Sequence, residues 1–228
     1  MKYIGIDLSW KPKNETGICI VDDLTNLKLW RSDCFTNNDL LKIIEEEIRK
    51  DDIVIAIDAP LKVENENGIR TCERELMKCQ IHGKYIQIFS SNRVNLLKSY
   101  DEIRGEKLKE QILAIKSENS IEIIETYPGA TILLDTKEKV KYKRLNKNKT
   151  KGKLSFLIQL LLKINWFQKF EPQLESKINQ INQSDIKKKE LKNIEDKIDA
   201  MICCYCSWKF KNQAKSIKIF GVDAELVI

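Results

Sequence analysis

A run of five apolar residues that is followed by an aspartate constrains the fold more than any other feature of this sequence. Residues 53–57 read IVIAI, and Asp58, Ala59 and Pro60 follow directly. A strand that is apolar on both faces is typical of a parallel sheet with helices packed on each side. Pro60 cannot donate a ladder hydrogen bond, so we expect the strand to end before it. The run therefore predicts an α/β protein with Asp58 at the exit of a buried strand.

The segment before this run predicts an antiparallel meander. Residues 2–8, 16–22 and 27–34 alternate in the way of half-buried strands, and turn-forming residues separate the first two. Residues 38–50 carry apolar side chains at helical spacing. The chain thus begins with three strands and a helix before it enters the buried strand.

The segment after the run predicts a further strand and two amphipathic helices. Residues 121–125 have a strand pattern, and residues 154–169 and 185–211 have helical ones. With the meander, this order predicts a mixed five-stranded sheet, three antiparallel strands and then parallel ones, flanked by helices. That is the skeleton of a ribonuclease H-like fold.

We expect one domain over residues 1–228, because the composition shows no linker. Within it, residues 61–120 are predicted to form a helical insertion or lid. Residues 137–153 are predicted to form a basic loop, since nine of these seventeen positions are Lys or Arg.

The bulk composition limits the partners and the compartment. The net charge is +6, from 40 basic and 34 acidic residues, which permits a polyanionic partner but also fits a solvated lysine-rich surface. No apolar run of about 18 residues occurs, so no membrane span is predicted. The first residues carry no export signal, and we expect the seven cysteines to be reduced thiols in the cytoplasm.

Four aspartates stand where a charged side chain is awkward to explain by structure alone. Asp7 and Asp58 each follow an apolar strand, and Asp196 and Asp199 are one turn apart on the last predicted helix. Buried carboxylates need a partner or a metal. Mg²⁺ and Mn²⁺ take oxygen ligands, and carboxylates from distant parts of a chain are what metal-dependent phosphodiester hydrolysis requires. The four residues are therefore a candidate metal and catalytic site.

Each of the four also has a purely structural interpretation. Asp7 and Asp58 would cap the turns after their strands. Asp196 would be a solvated acid on the helix surface, and Asp199 would pair with Lys192 or another lysine.

Two groups of basic residues are candidates for binding nucleic acid. Arg70 and Arg74 are four residues apart on a predicted helix and could clamp a phosphate, or form an ion-pair lattice with Glu73 and Glu75. The second group lies in the basic segment and consists of Lys141, Lys143, Arg144, Lys147, Lys149 and Lys151. It would contact the nucleic-acid backbone by charge, or be a mobile solvated loop.

Five short segments carry a family resemblance over nearly the whole chain. They are GIDLSW (5–10), IAIDAP (55–60), RTCERELMK (70–78), IIETYPGAT (123–131) and IEDKIDAMICCYCSW (194–208). In this order they resemble the motifs of domain-of-unknown-function family 429, whose members are predicted ribonuclease H-fold nucleases. That family is similar in turn to RuvC-type Holliday-junction resolvases.

The resemblance implies roles for individual residues. By motif, Asp7, Asp58, Asp196 and Asp199 take the places of the metal-binding acids of the resolvases. Glu125, in the ETYP motif, is implied as a further metal ligand, as an acid that supports the ligands, or as a turn cap. The implied activity is hydrolysis of DNA or RNA with Mg²⁺ or Mn²⁺.

Two other functions compete with the nuclease hypothesis. A nucleic-acid-binding protein without turnover would keep the fold and the basic residues. A phosphotransferase of the actin and sugar-kinase type would share the sheet and Asp7, but it needs glycine-rich phosphate turns. Leu-Ser-Trp follows Asp7 and Ala-Pro-Leu follows Asp58, so glycine is missing where that class requires it.

Overall fold

Strands form where β-branched and apolar residues run together. The computed structural model describes residues 1–143, 145–221 and 226–228. The strands of the central sheet are β1 (Lys2–Asp7), β2 (Thr16–Asp22), β3 (Leu27–Asp33), β4 (Ile53–Ile57), β7 (Ile121–Thr126), β8 (Ile219–Phe220) and β9 (Leu226–Val227). A separate hairpin consists of β5 (Gln80–Ile81) and β6 (Lys84–Tyr85).

Helices cover both faces of the sheet, as the apolar β4 predicts. They are α1 (Asn37–Ile48), α2 (Thr71–Lys78), α3 (Arg93–Tyr100), α4 (Arg104–Leu113), α5 (Pro128–Thr136), α6 (Lys147–Leu161), α7 (Asn165–Gln168), α8 (Glu171–Asn182) and α9 (Lys188–Asn212). The longest, α9, is buried along most of its length.

The sheet combines antiparallel and parallel pairs. Its strand order is β3-β2-β1-β4-β7-β9-β8. The strands β3, β2 and β1 are antiparallel neighbours, whereas β1, β4, β7 and β9 are parallel to one another in turn. The predicted meander and the parallel strands after it are both present in this order.

Successive side chains of a strand point to opposite faces, so each strand contributes to two cores. On one face, Tyr3 and Val54 pack with α6, α8 and α9. On the other, Ile55 and Ile57 pack with α1 and α4. This separation decides which strand-end side chains reach α9.

The structure corrects two predictions, on the number of strands and on the basic loop, and adds a hairpin to a third segment. The sheet has seven strands in the described part of the chain, not five, because β9 pairs with β7 and β8 pairs with β9. The segment 61–120 holds the hairpin β5–β6 beside its helices, because Gly83 in a left-handed conformation permits a tight turn. The basic segment is helical from Lys147 onward, because Asn146 caps α6.

No helix in the described ranges 1–143, 145–221 and 226–228 has the length and apolar character needed to cross a membrane.

Candidate active site

The pairing of β1 with β4 brings Asp7 and Asp58 together. The strands are parallel and in register at Ile6 and Ile57, and the backbone N–H of Asp58 donates to the carbonyl of Ile6 at 2.8 Å. Asp7 is four residues beyond Tyr3, and Asp58 is four residues beyond Val54, so each continues the sheet face of the earlier residue. Both carboxylates therefore belong to the α9 face of the sheet.

Two glycines let α9 lie directly on the strands. A Cβ at Gly5 would meet the carbonyl oxygen of Ala200 at 2.1 Å, and one at Gly17 would meet that of Asp196 at the same distance. Gly17 is paired with Asp7 across the β1–β2 ladder. The close approach places the turn of α9 that carries Asp196 and Asp199 beside the end of β1.

The charge of Asp7 acts on each of the other three aspartates, so we call the four residues the aspartate cluster. Burial raises the pKa of Asp58 to about 8, Lys143 opposes the shift, and the charges of Asp7 and Asp199 add to it. Burial and Asp7 likewise raise the pKa of Asp196 to about 8. Burial also raises the pKa of Asp199 to about 6, although Lys143 opposes this. A like charge at close range raises the pKa of a carboxyl group in this way.

Two lysines neutralise part of this negative charge. The ammonium group of Lys143 lies 2.7 Å from Asp199 Oδ2 and 3.9 Å from Asp58 Oδ2. That of Lys192 lies 2.5 Å from Asp196 Oδ1. Asp196 is 1% exposed, so its interpretation as a solvated surface acid is wrong. Asp199 does pair with a lysine, but the partner is Lys143 and not Lys192.

Tyr142 fixes the orientation of Asp199. Its hydroxyl donates a short hydrogen bond to Asp199 Oδ1, and its ring is buried against α6 and α9. Asp199 Oδ2 is thereby left to face Lys143. Sequence reasoning does not identify this role of Tyr142, because its register against α9 cannot be read from local sequence.

The carboxylate oxygens of the four aspartates are the type of ligand that a hard divalent cation prefers. Asp196 Oδ2 is buried and accepts no hydrogen bond from the described residues, whereas Asp199 Oδ2 has the ammonium group of Lys143 at 2.7 Å. Buried carboxylate oxygens without a donor are costly, and oxygen ligation of a cation removes that cost. In the described residues, however, no three His, Cys, Asp or Glu side chains are grouped closely enough to hold an ion. The carboxylates face Lys143 and Lys192 instead.

Glu125 lies next to the cluster but points to the other face of the sheet. It pairs with Ile57 across the β4–β7 ladder, one residue before Asp58. Its side chain therefore lies on the face of Ile57, opposite to the face of Asp58. Its Oε1 accepts from Arg70 at 2.5 Å, and its Oε2 accepts from Arg70 at 2.9 Å and from the N–H of Leu61 at 2.8 Å. Both carboxylate oxygens are therefore engaged within the chain.

Arg70 is consequently an internal ion-pair partner. It is 4% exposed, and its Nε donates to Glu73 at 2.8 Å in addition to its two bonds with Glu125. Of the two alternatives for this helix, the ion-pair lattice describes Arg70. Arg74 is exposed and donates to the carbonyl of Ile69 at 3.1 Å.

The other basic candidates are dispersed. Lys143 belongs to the aspartate cluster, Lys141 is exposed, and Arg144 lies outside the described residues. The remaining three, on α6, are Lys147, Lys149 and Lys151. Among them Lys151 donates to the carbonyl of Gln183 at 2.8 Å.

Arg104 holds the turn that follows Asp7, and sequence reasoning missed it. It is 2% exposed and donates to the carbonyls of Ser9 at 2.8 Å and Phe35 at 2.6 Å, and to Asn37 Oδ1 at 2.9 Å. Burial lowers the pKa of Arg104 to about 10. An arginine within an amphipathic helix gives no local sign of such a role.

Comparisons with known proteins give a family and no further relative. No curated protein and no solved structure matches the chain. The family profile described as "Protein of unknown function (DUF429)" matches residues 5–221, which is nearly the whole chain. The chain therefore belongs to this family of proteins of unknown function.

Proposed function

We propose that this protein is a metal-dependent nuclease that hydrolyses phosphodiester bonds in DNA or RNA. The observation that carries the proposal is the convergence of Asp7, Asp58, Asp196 and Asp199 from three separate elements, where burial and the charge of Asp7 raise the pKa values of the other three. Carboxyl ends of parallel strands are where α/β sheets place functional groups. Perturbed acids in such a position are candidates for catalysis.

The sheet supports the same proposal. The five strands in the order β3-β2-β1-β4-β7 run as three antiparallel strands followed by parallel ones, and we assign them to a ribonuclease H-like core. In that assignment β9 and β8 extend the core beyond β7. Fold alone does not establish an activity, so the argument for function depends on the aspartates.

The four aspartates would hold Mg²⁺ or Mn²⁺. Such a cation supplies an activated water and stabilises charge on the leaving oxygen. Tyr142 keeps Asp199 Oδ2 turned into the cluster. In the metal-free protein Lys143 lies beside Asp58 and Asp199, and its ammonium group would attract a phosphate of the substrate.

A second candidate is a nucleic-acid-binding protein without turnover. Lys143 and Lys192 already neutralise two carboxylates, and this observation favours a cluster that is stable without hydrolysing anything. The two candidates differ in one measurable property, which is cleavage in the presence of a metal.

The decisive experiment is a cleavage panel in Mn²⁺ with DNA, RNA, hybrid and branched substrates. Asp58→Asn and Asp199→Asn should lose cleavage on every substrate that the wild type cuts. Asp52→Asn is the matched control, because Asp52 lies at the opposite end of β4 and accepts from Ser120 at 2.7 Å. Cleavage that is equal in all four proteins would remove the proposed site. Binding without any cleavage by the wild type would support the second candidate.

A further inference from the structure

Three aromatic rings lie beyond the end of β1, outside the aspartate cluster. Trp10 stacks on Tyr100 with ring centroids 5.1 Å apart and an interplanar angle of 11°. Phe89 lies against the same indole, with centroids 5.5 Å apart and a tilt of 57°. We call Trp10, Phe89 and Tyr100 the aromatic platform.

A short stretch of chain connects the platform to the proposed site. Trp10 is three residues beyond Asp7, so the two Cα atoms are at most about 11 Å apart. Trp10 and Tyr100 also pack on Val63, five residues beyond Asp58. Tyr127 donates to the carbonyl of Gln87 at 3.2 Å, which ties the segment before Phe89 to the end of β7.

The outer surface of the platform is exposed. Phe89 is 54% exposed, and Val94 and Leu97, five and eight residues further along the chain, are 45% and 41% exposed. An exposed aromatic ring that packs on a second, ordered ring has already lost much of its rotational freedom. Such a ring presents a flat apolar face at low entropic cost.

Positive charge lies beside the platform. The ammonium of Lys11 lies 5.4 Å from the centroid of the Tyr100 ring. Lys13 and Lys98 flank the same residues in sequence. None of these three lysines forms an ion pair with any carboxylate that the structure describes. Flat aromatic faces with unpaired cations are the combination that binds single-stranded nucleic acid, where bases stack and phosphates meet lysines.

We propose that the aromatic platform stacks an unpaired base of a single-stranded segment of nucleic acid, next to the scissile phosphate. This rests on the proposed function, since it takes nucleic acid as the substrate and narrows it to a strand with accessible bases. Paired bases are stacked on each other and cannot offer a free face to Phe89. The protein is thus selective for single strands or for single-stranded parts of branched molecules.

The test measures binding in EDTA, so that no turnover is involved. Fluorescence anisotropy is recorded for a labelled single strand, for the duplex, and for a strand of abasic sugars with the same phosphates, in DNA and RNA versions. We expect the full chain to bind the single strand more tightly than the duplex or the abasic strand. Equal affinity for the abasic strand would show that charge alone holds the ligand, and would overturn the proposal.

Variants of Phe89 separate stacking from general apolar contact. Phe89→Ala should weaken binding of the single strand by about 5- to 150-fold, and Phe89→Trp should retain it. Phe89→Leu keeps apolar area without a flat face and should bind as weakly as Phe89→Ala. Phe156→Ala is the matched control, because Phe156 on α6 is 41% exposed and carries Lys153 at 6.0 Å from its ring.

The outcomes distinguish this proposal from the nuclease proposal. Binding of the single strand by Phe89→Leu that equals that of the wild type would overturn base stacking, because leucine offers no flat ring. If the wild type cleaves nucleic acid while Phe89→Ala binds unchanged, only the platform fails. If the wild type shows Phe89-dependent binding of single strands but never cleaves them, only the nuclease proposal fails.

Discussion

Replacing Asp196 by asparagine should make the metal-free protein more stable at alkaline pH. In the folded state the pKa of Asp196 is raised from 3.8 to about 8, by burial first and then by the charge of Asp7. A carboxyl group with a raised pKa binds a proton more tightly in the folded state than in the unfolded one. Its contribution to stability is therefore complete below pH 3.8 and is lost as the pH rises through about 8. Asparagine has a similar shape and carries no charge to bury.

The size of the effect follows from the shift. About four pKa units at 1.36 kcal/mol each correspond to roughly 5 to 6 kcal/mol as an upper limit. Asp196 is only 1% exposed, but Lys192 beside it is 53% exposed at its side chain, so water and side-chain movement screen part of this energy. We expect Asp196→Asn to exceed the wild type in free energy of unfolding by about 2 kcal/mol at pH 9.

Urea unfolding in EDTA at pH 5 and at pH 9 measures this difference. The stability of the wild type should fall more steeply between the two pH values than that of Asp196→Asn. Glu195→Gln is the matched control, because Glu195 is the other carboxylate paired with Lys192, at 2.9 Å. The reasoning is refuted if Asp196→Asn loses as much stability between pH 5 and pH 9 as the wild type.

Three further perturbations test the cluster and its surroundings. Mn²⁺ at about 100 times its Kd should raise the free energy of unfolding of the wild type by about 2.7 kcal/mol and leave that of Asp7→Asn unchanged. Thermal unfolding measures both, and equal stabilisation of the two proteins would place the ion elsewhere. Gly17→Ala should cost about 1–3 kcal/mol or more in urea unfolding, since its Cβ would meet the carbonyl of Asp196 at 2.1 Å; a neutral result would mean that α9 can move away. Arg70→Ala should lower the free energy of unfolding by about 3–5 kcal/mol, because it leaves Glu125 buried and unpaired. The double variant with Glu125→Gln should recover part of this stability. If it recovers none, the packing of Arg70 matters more than its charge.

The sequence was most informative where a signal is local. The apolar run 53–57 predicted a buried strand with Asp58 at its exit, and the structure has β4 at Ile53–Ile57. The spacing of Asp196 and Asp199 placed both on one face of a helix, and both lie on the buried part of α9. Periodicity and residue type decide these features, and both are properties of a short window.

Features that depend on register between distant strands could not be predicted. Glu125 is at a strand exit like Asp58, but its pairing with Ile57 turns it to the opposite face. A shift of one residue in this register would have placed it in the cluster. The pairing of Lys143 with Asp199 also depends on how the segment before α6 packs on α9. No local pattern reports either arrangement.

The two residues that approach Asp199 from this segment differ in what they can do. Tyr142 is 5% exposed and packs in the core with α6 and α9, so its hydrogen bond to Asp199 is a fixed part of the structure. Lys143 is 43% exposed at its side chain and can turn toward solvent without disturbing the core. A divalent cation that approaches Asp58 and Asp199 would repel the ammonium group of Lys143 and release both carboxylates. Tyr142 would meanwhile hold Asp199 in place, so the cluster can exchange one cation for another without losing the geometry that the fold imposes.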